Sequence, residues 1–447
     1  MDNLAIWQKT SAIWQAIPVA QNPVVVKSSE WNLMVQDARL LLSCFPVVLT
    51  WLQRKENQVL WNLIFGELEG VEADAAHRNP SDTWGHATIR LDLFWHGDEL
   101  KIIEANCTIP AMQAYSDMVL RRRSELLGIP QPSRGNSADL LDSLLALYRR
   151  DGGEVARPRI AILHRDGDSQ LAELEYFKHH WHDRAEVVLV TPSQWNEQDF
   201  DLVYRHIFAT RLLDQPKLLA ALRDSRRWRI YNPISAHYEI KAFLAMVAVV
   251  VSDDWISSDL GLSLNQREAI GRRVPWTRII PSQRYSVGQD SEIIASDIGF
   301  AANAEKYVIK HSSGYGGHFV FVGSEWHEPT TQVRLQNLLK VTEFVSPALF
   351  WRWVTTESQD VWVVQQRMSG RRYQSKVLSS GGGGLEIGNY VEAYVDGYVD
   401  GYVDASVFLN TGTEPLCGGG VSRFASGPVV NIGTGGGLAP LIIDPSL

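Results

Sequence analysis

The sequence predicts a mixed α/β protein, and three features carry that expectation. Residues 87–110 read as an antiparallel hairpin. Residues 158–232 alternate short apolar strands with a helix. Beyond residue 276 the chain returns to strands separated by glycine-rich segments. A length of 447 residues suggests about three domains. At 45% apolar and 21% charged, a chain this long can bury a large core, which excludes disorder for most of it. The balance of 42 basic against 51 acidic residues disfavours a nucleic-acid partner.

Taken in order, residues 1–80 form an N-terminal helical segment, with helical spacing over Trp31–Gln53 and Gln58–Leu68. Asn79–Gly85 has turn chemistry. Ile89, Leu91 and Leu93 then alternate with Arg90 and Asp92, His96–Glu99 makes a turn, and Leu100–Ala105 returns. With the helices of 111–150, this hairpin completes a unit over 81–155. Residues 156–235 read as a small Rossmann-like α/β domain with strands at Ile160–Leu163, Glu186–Val190 and Asp201–Tyr204. The last unit, 236–447, opens helical and continues with strands at Tyr307–Lys310, Phe319–Val322 and Val361–Gln366, with a helix over 330–344. Its low-complexity parts are Gly381–Gly384 and the YVDG repeat of Tyr394–Asp404, for which a strand or an exposed loop is expected.

Cys44, Cys107 and Cys417 lie far apart, without metal-ligand or redox spacing. The N-terminus has no apolar stretch followed by a cleavage site, and the longest apolar run, Ala242–Val251, is too short to span a bilayer. The expectation is a cytoplasmic protein with neither membrane nor nucleic-acid partner, its oligomeric state not legible.

Five constellations carry candidate chemistry. Asp92, Glu104 and Asn106 sit on facing strands of the hairpin, and two carboxylates with an amide oxygen suit Mg²⁺. Two exposed acids on adjacent strands is the alternative; the buried look of the surrounding strand favours a cation. Lys310, at a strand end, precedes Ser312, Ser313, Gly314, Gly316 and Gly317, which can present an ammonium and backbone N–H groups to phosphate or simply make a glycine turn. Gln365, Gln366 and Met368 end an apolar strand whose edge can meet a purine or can be ordinary structure. Lys241 starts an apolar helix. Arg423 lies between two glycine clusters, Gly418–Gly420 and Asn431–Gly437, which suggest an anion-facing loop or a pair of tight turns.

Together these elements resemble the ATP-grasp ligases. The string RLDLFWHGDELKIIEANCTIP is similar to the metal hairpin of D-alanine–D-alanine ligase and of glutathionylspermidine synthetase. Because this hairpin precedes the Lys310 loop, the order resembles the circularly permuted branch. The resemblance covers about residues 80–447, with 156–235 as the pre-ATP-grasp domain. It implies ATP and Mg²⁺, two ions in all, held by Asp92, Glu104 and Asn106. It implies phosphate contacts from Lys241, Lys310, Ser313, Gly314, Gly316 and Gly317, and adenine contacts from Gln365, Gln366 and Met368. Arg90 and Arg423 become the catalytic arginines. The Asn431–Leu447 segment is expected beside the Asp92 strand.

The implied activity is an ADP-forming carboxylate–amine ligase that makes an amide through an acylphosphate, with a small carboxylate and an amine (amino acid, peptide or polyamine-like) as substrates. Arg121–Arg123, Arg205 and Arg423 can bind a carboxylate or be ordinary surface residues, the reading favoured for the arginine run, and Tyr115, Ser116 and Asp117 are candidates to line the acceptor pocket. Two alternatives belong to other classes. One is a non-catalytic ATP-binding sensor or scaffold. The other is a dehydrogenase built on residues 158–232, which lack a GxGxxG fingerprint.

Overall fold

The structure is a computed structural model. It describes residues 17–80, 84–128, 130, 134–196, 199–280, 299–314, 319–368, 370–378, 385–387, 390–392, 397–413, 418–430, 432 and 436–444. Gly316, Gly317, Gly381–Gly384, Tyr394–Asp396, Cys417, Asn431 and residues 433–435 lie outside them.

The largest sheet has eight strands in the order Gly397–Val403, Arg371–Leu378, Val19–Ala20, Gly437–Ala439, Gly418–Ala425, Ala405–Leu409, Ile89–His96 and Glu99–Asn106. The hairpin of the last two strands turns at Gly97, whose φ of 63° suits glycine. Its register pairs Arg90 with Asn106 and Asp92 with Glu104. A register shift follows between Asp92 and Leu93, a bulge of the kind that re-aims side chains.

Two expectations are corrected here. The neighbour of the Asp92 strand is Ala405–Leu409; Gly437–Ala439 lies two strands further away, because Gly418–Ala425 inserts between them. The N-terminal segment is not purely helical: Val24–Lys27 pairs in parallel with Leu441–Asp444, and Val19–Ala20 joins the large sheet. Both strands are too short to show a period, and their partners lie at the other end of the chain.

A second sheet, Val320–Val322, Tyr307–His311, Trp362–Gln366 and Thr277–Ile280, is antiparallel throughout. A third is parallel, in the order Glu186–Val190, Arg159–His164, Leu202–His206 and Ile230–Tyr231. The helix Pro347–Thr356, which the sequence reading passed over, packs Phe350 and Val354 into the core of the second sheet.

Helix Ser28–Leu52 is long and apolar enough to cross a membrane by length and composition, but half of its most apolar window is buried in the protein. It packs with Lys241–Ser252, whose residues from Lys241 to Val250 are all buried. Ion pairs to buried Asp37 fix it to helix Leu264–Arg273: its carboxylate accepts from the half-buried Arg272 Nε at 2.8 Å and from the buried Arg273 Nε at 2.7 Å. Losing one partner of such a pair strands a charge without solvent, which specifies how the helices dock.

Candidate active site

The hairpin carries Ile89, Leu91 and Leu93 into the core and turns Arg90 and Asp92 to its other face, as the period-2 alternation requires. That face is also buried. Asp92 Oδ1 accepts from Arg90 Nε at 2.8 Å and Ser406 Oγ at 2.9 Å. Its Oδ2 accepts from Arg90 Nη2 at 3.3 Å and Arg423 Nη2 at 3.0 Å. Burial alone would raise the Asp92 pKa, but Arg423 and Arg90 outweigh it and hold the carboxyl well below the usual range. Arg423 is gripped on its far side by buried Asp404 through Nε at 2.7 Å and through a second contact from Nη2. The result is an alternating chain, Arg90–Asp92–Arg423–Asp404.

Buried acceptors fix the hairpin's lower end. Asn232, with φ at 59°, takes the Ala87 N–H at 2.8 Å and donates to the Thr88 and Cys107 carbonyls at 3.2 Å. Glu239 accepts the N–H groups of Cys107 and Thr108. Fully buried Glu173 accepts from Met112 N–H at 2.9 and 3.0 Å and from Ala114 N–H at 3.0 Å. Met112 has φ 96°, ψ 7°, which costs a side-chain-bearing residue roughly 1–3 kcal/mol.

The two lysines approach from the other wall. Lys241 Nζ lies 3.3 Å from Glu104 Oε1 and donates to the Gly314 carbonyl at 2.6 Å. Lys310 Nζ donates to Gln365 Oε1 at 2.8 Å and to the Ile103 carbonyl at 3.3 Å. Burial is the main cause that lowers the Lys310 pKa to about 8, partly offset by Glu104.

These groups share one cavity of about 300 Å³. Of the residues singled out in the sequence, Arg90, Asp92, Glu104, Asn106, Lys241, Lys310, Gly314, Gln365, Gln366, Met368 and Arg423 line it. Ser313 does not: its hydroxyl donates to Glu67 Oε2 at 2.7 Å, on a carboxylate that also takes the Val361 N–H. Gln365 is no free adenine contact, since its amide bridges Lys310 and Thr277 Oγ1, the latter at 3.0 Å.

The candidate substrate contacts are also corrected. Arg205 is buried against the carbonyls of Asn232, Ile207 and Pro233 at 2.5–2.6 Å. Ser116 and Asp117 cap and brace helix Asn136–Arg150, and neither they, Tyr115 nor Arg121–Arg123 line the cavity. Residues that the sequence reading missed do line it, among them Met112, Gln170, Val308, Val322 and Arg367. Asp404 was hidden as the last letter of a repeat. Glu67 sits in a segment without any motif.

A divalent cation prefers oxygen ligands, and Glu104 and Asn106 can supply them. Both are half-buried and line the cavity wall. Asp92 has two oxygens and four donors, so it can join them only by giving up one of these bonds, from Ser406, Arg90 or Arg423.

No protein-family model matches the chain, and no curated protein sequence matches it. Among solved structures it is similar to a glutathione synthetase-like effector, GSS30, from Globodera pallida in its apo form. The TM-score is 0.52 at 10% identity, over 99% of this chain and 98% of that one. A protein from Methylobacillus flagellatus KT named as a gamma-glutamylcysteine synthetase aligns with a TM-score of 0.37 at 10% identity, over 86% and 82% of the two chains. At such identity the likeness to GSS30 bears on the fold alone: the chain shares the fold of that glutathione synthetase-like effector.

Proposed function

We propose that the protein is an ATP-dependent carboxylate–amine ligase of the circularly permuted ATP-grasp type. The observation that supports this best is the shared cavity. It brings the Arg90–Asp92–Arg423 chain, Glu104 and Asn106 against Lys241 and Lys310, from segments more than 300 residues apart. The side chains at its walls carry several cations against two carboxylates, which suits a polyphosphate. Val308, Val320, Val322 and Met368 offer an apolar slot for a purine, and Lys310 and Lys241 hold the phosphates beyond it.

Mg²⁺ held by Glu104 and Asn106 would neutralise the triphosphate. Lys241 would exchange the Gly314 carbonyl for a phosphate oxygen, and in doing so release Glu104. Arg90 keeps two N–H groups free after its bonds to Asp92 and Ala111, enough to hold the acid's carboxylate. One carboxylate oxygen attacks the γ-phosphorus, and the bridging P–O bond breaks with its electron pair on ADP. The amine then attacks the acyl carbon, inorganic phosphate leaves, and the nitrogen's proton passes to solvent.

A second reading, nucleotide binding without turnover, draws on the fully engaged Asp92. ADP formation separates the two. The wild-type protein with ATP, Mg²⁺ and a mixture of acids and amines is expected to release ADP, and Glu104→Gln to bind ATP without releasing it. ADP release at the wild-type rate by Glu104→Gln would overturn the ligase assignment.

A further inference from the structure

We infer that Met112 selects the acid: the substrate is a carboxylic acid with an apolar body. This rests on the ligase reading above and names the substrate class of the same site. The argument starts from the backbone. Met112 holds a left-handed conformation that glycine or asparagine adopts with less strain. Its N–H is clamped by both oxygens of buried Glu173, and the preceding carbonyl, Ala111 O, accepts from Arg90 Nη1 at 3.0 Å. The strain is therefore held from two sides, beside the arginine proposed to meet the carboxylate. A side chain kept in such a conformation at a cavity wall points to function.

The chemistry of that wall follows from its residues. Ile109, Ala111 and Met112 line it, with Arg90 and Gln170 as its polar members. A charged body lying on this shelf would lose water; among the described cavity residues beside it, Arg90 is given to the reacting carboxylate and Arg423 is already held by Asp92 and Asp404. An alkyl or aryl body would lose only unfavourable contact with water. The unbranched thioether of Met112 adapts to bodies of different shape, so it shapes the pocket without demanding one outline.

The test uses the full-length protein with ATP, Mg²⁺ and hydroxylamine as a small surrogate amine. Hydroxylamine nitrogen attacks the acylphosphate carbon, phosphate leaves, and the hydroxamate is read by its ferric complex while ADP is measured in parallel. The acids are straight-chain alkanoates of increasing length and benzoate, against succinate, glutamate and lysine. Apolar acids should exceed charged acids of matched size in kcat/KM by roughly tenfold or more. Met112→Gly and Met112→Asn both suit the left-handed backbone and so keep the fold. The glycine variant should move the preference toward longer acids, the asparagine variant should lower it for all apolar acids, and KM for ATP should stay unchanged in both. A preference for charged acids, or one that is identical in all three proteins, overturns the inference while ADP formation still supports the ligase. Absence of ADP with every acid overturns the ligase reading itself, and this inference with it.

Discussion

Lys310 and Gln365 are neighbours across two antiparallel strands, and the Gln365 amide carries the lysine: its oxygen accepts from Lys310 Nζ at 2.8 Å while its nitrogen is held by Thr277. A neutral partner fixes the ammonium in place without adding a negative charge. Burial can therefore lower the lysine's pKa to about 8. Only the protonated lysine attracts phosphate. Nucleotide affinity should be constant below about pH 8 and fall above it, by up to tenfold per pH unit until the pKa of the bound state is reached. Calorimetric titration of ATP across that range checks the sign.

Gln365→Glu should move that alkaline limit upward, because a carboxylate beside the lysine favours the charged form. Gln365→Ala should weaken ATP binding by roughly tenfold, the order expected for losing one hydrogen bond to a charged group. If both variants bind ATP with the wild-type pH profile, Gln365 does not position Lys310.

Asp92 and Glu104 face each other across the hairpin, but their substitutions should behave differently. Asp92 neutralises two buried guanidinium groups, so Asp92→Asn should destabilise the fold by roughly 3–5 kcal/mol. The folded pKa of Asp92 is depressed. Its contribution is present above the unfolded value near ~3.9 and lost as the pH falls through the lower folded value, so the wild type should weaken in acid below about pH 4. Glu104 is half-buried and its one ion pair among the described residues is with Lys241 at 3.3 Å, so Glu104→Gln should leave the melting temperature nearly unchanged. Thermal melts of the two variants side by side distinguish the structural carboxylate from the functional one.

How much of this was legible beforehand depends on how far apart in the chain the partners lie. The Asp92–Glu104 pairing could be read because a tight turn at Gly97 fixes the register over a few residues. The strand bearing Lys310 could be read from its apolar run. The order of the eight-stranded sheet could not, since Ile89–His96 pairs with Ala405–Leu409 across more than 300 residues and neither strand's pattern names the other. Ser313 was misplaced for the same reason: its partner, Glu67, sits among helices that share no motif with the loop. Gln365 was placed on the right strand, yet a strand pattern does not tell which neighbour an amide will bind.

Glu67 ties the N-terminal helices to the loop after Lys310 and to the start of the Gln365 strand. Glu67→Ala should strand the Val361 N–H and cost roughly 1–3 kcal/mol, whereas Ser313→Ala removes the donor from a half-buried carboxylate and should cost less. Denaturant melts of the two single variants and the double variant give the coupling. A coupling energy of zero would show that the two side chains act independently.

The YVDG repeat gives the last prediction, because its period of four is an even number. In the strand Gly397–Val403, Val399 and Val403 face inward, and Gly401 lies where any Cβ would collide with the Ala425 carbonyl. Tyr402 and Asp400 face outward against Arg372 and Gln374. Deleting Tyr398–Gly401 brings an identical unit into every one of these places. It also leaves Asp404 joined to Arg423, since residues from 402 onward do not shift. Such a deletion should leave the melting temperature and ATP binding close to wild type. Deleting only Val399 and Asp400 keeps the inward and outward alternation and leaves Gly401 in place, but brings Gly397 to the buried position of Val399, and the lost side chain should weaken the edge. Equal tolerance of both deletions would mean that the inward valine at this position does not hold the strand on the sheet. Equal loss would mean that the repeat's copies are not interchangeable, and that residues before 398 bind the fold in their own right.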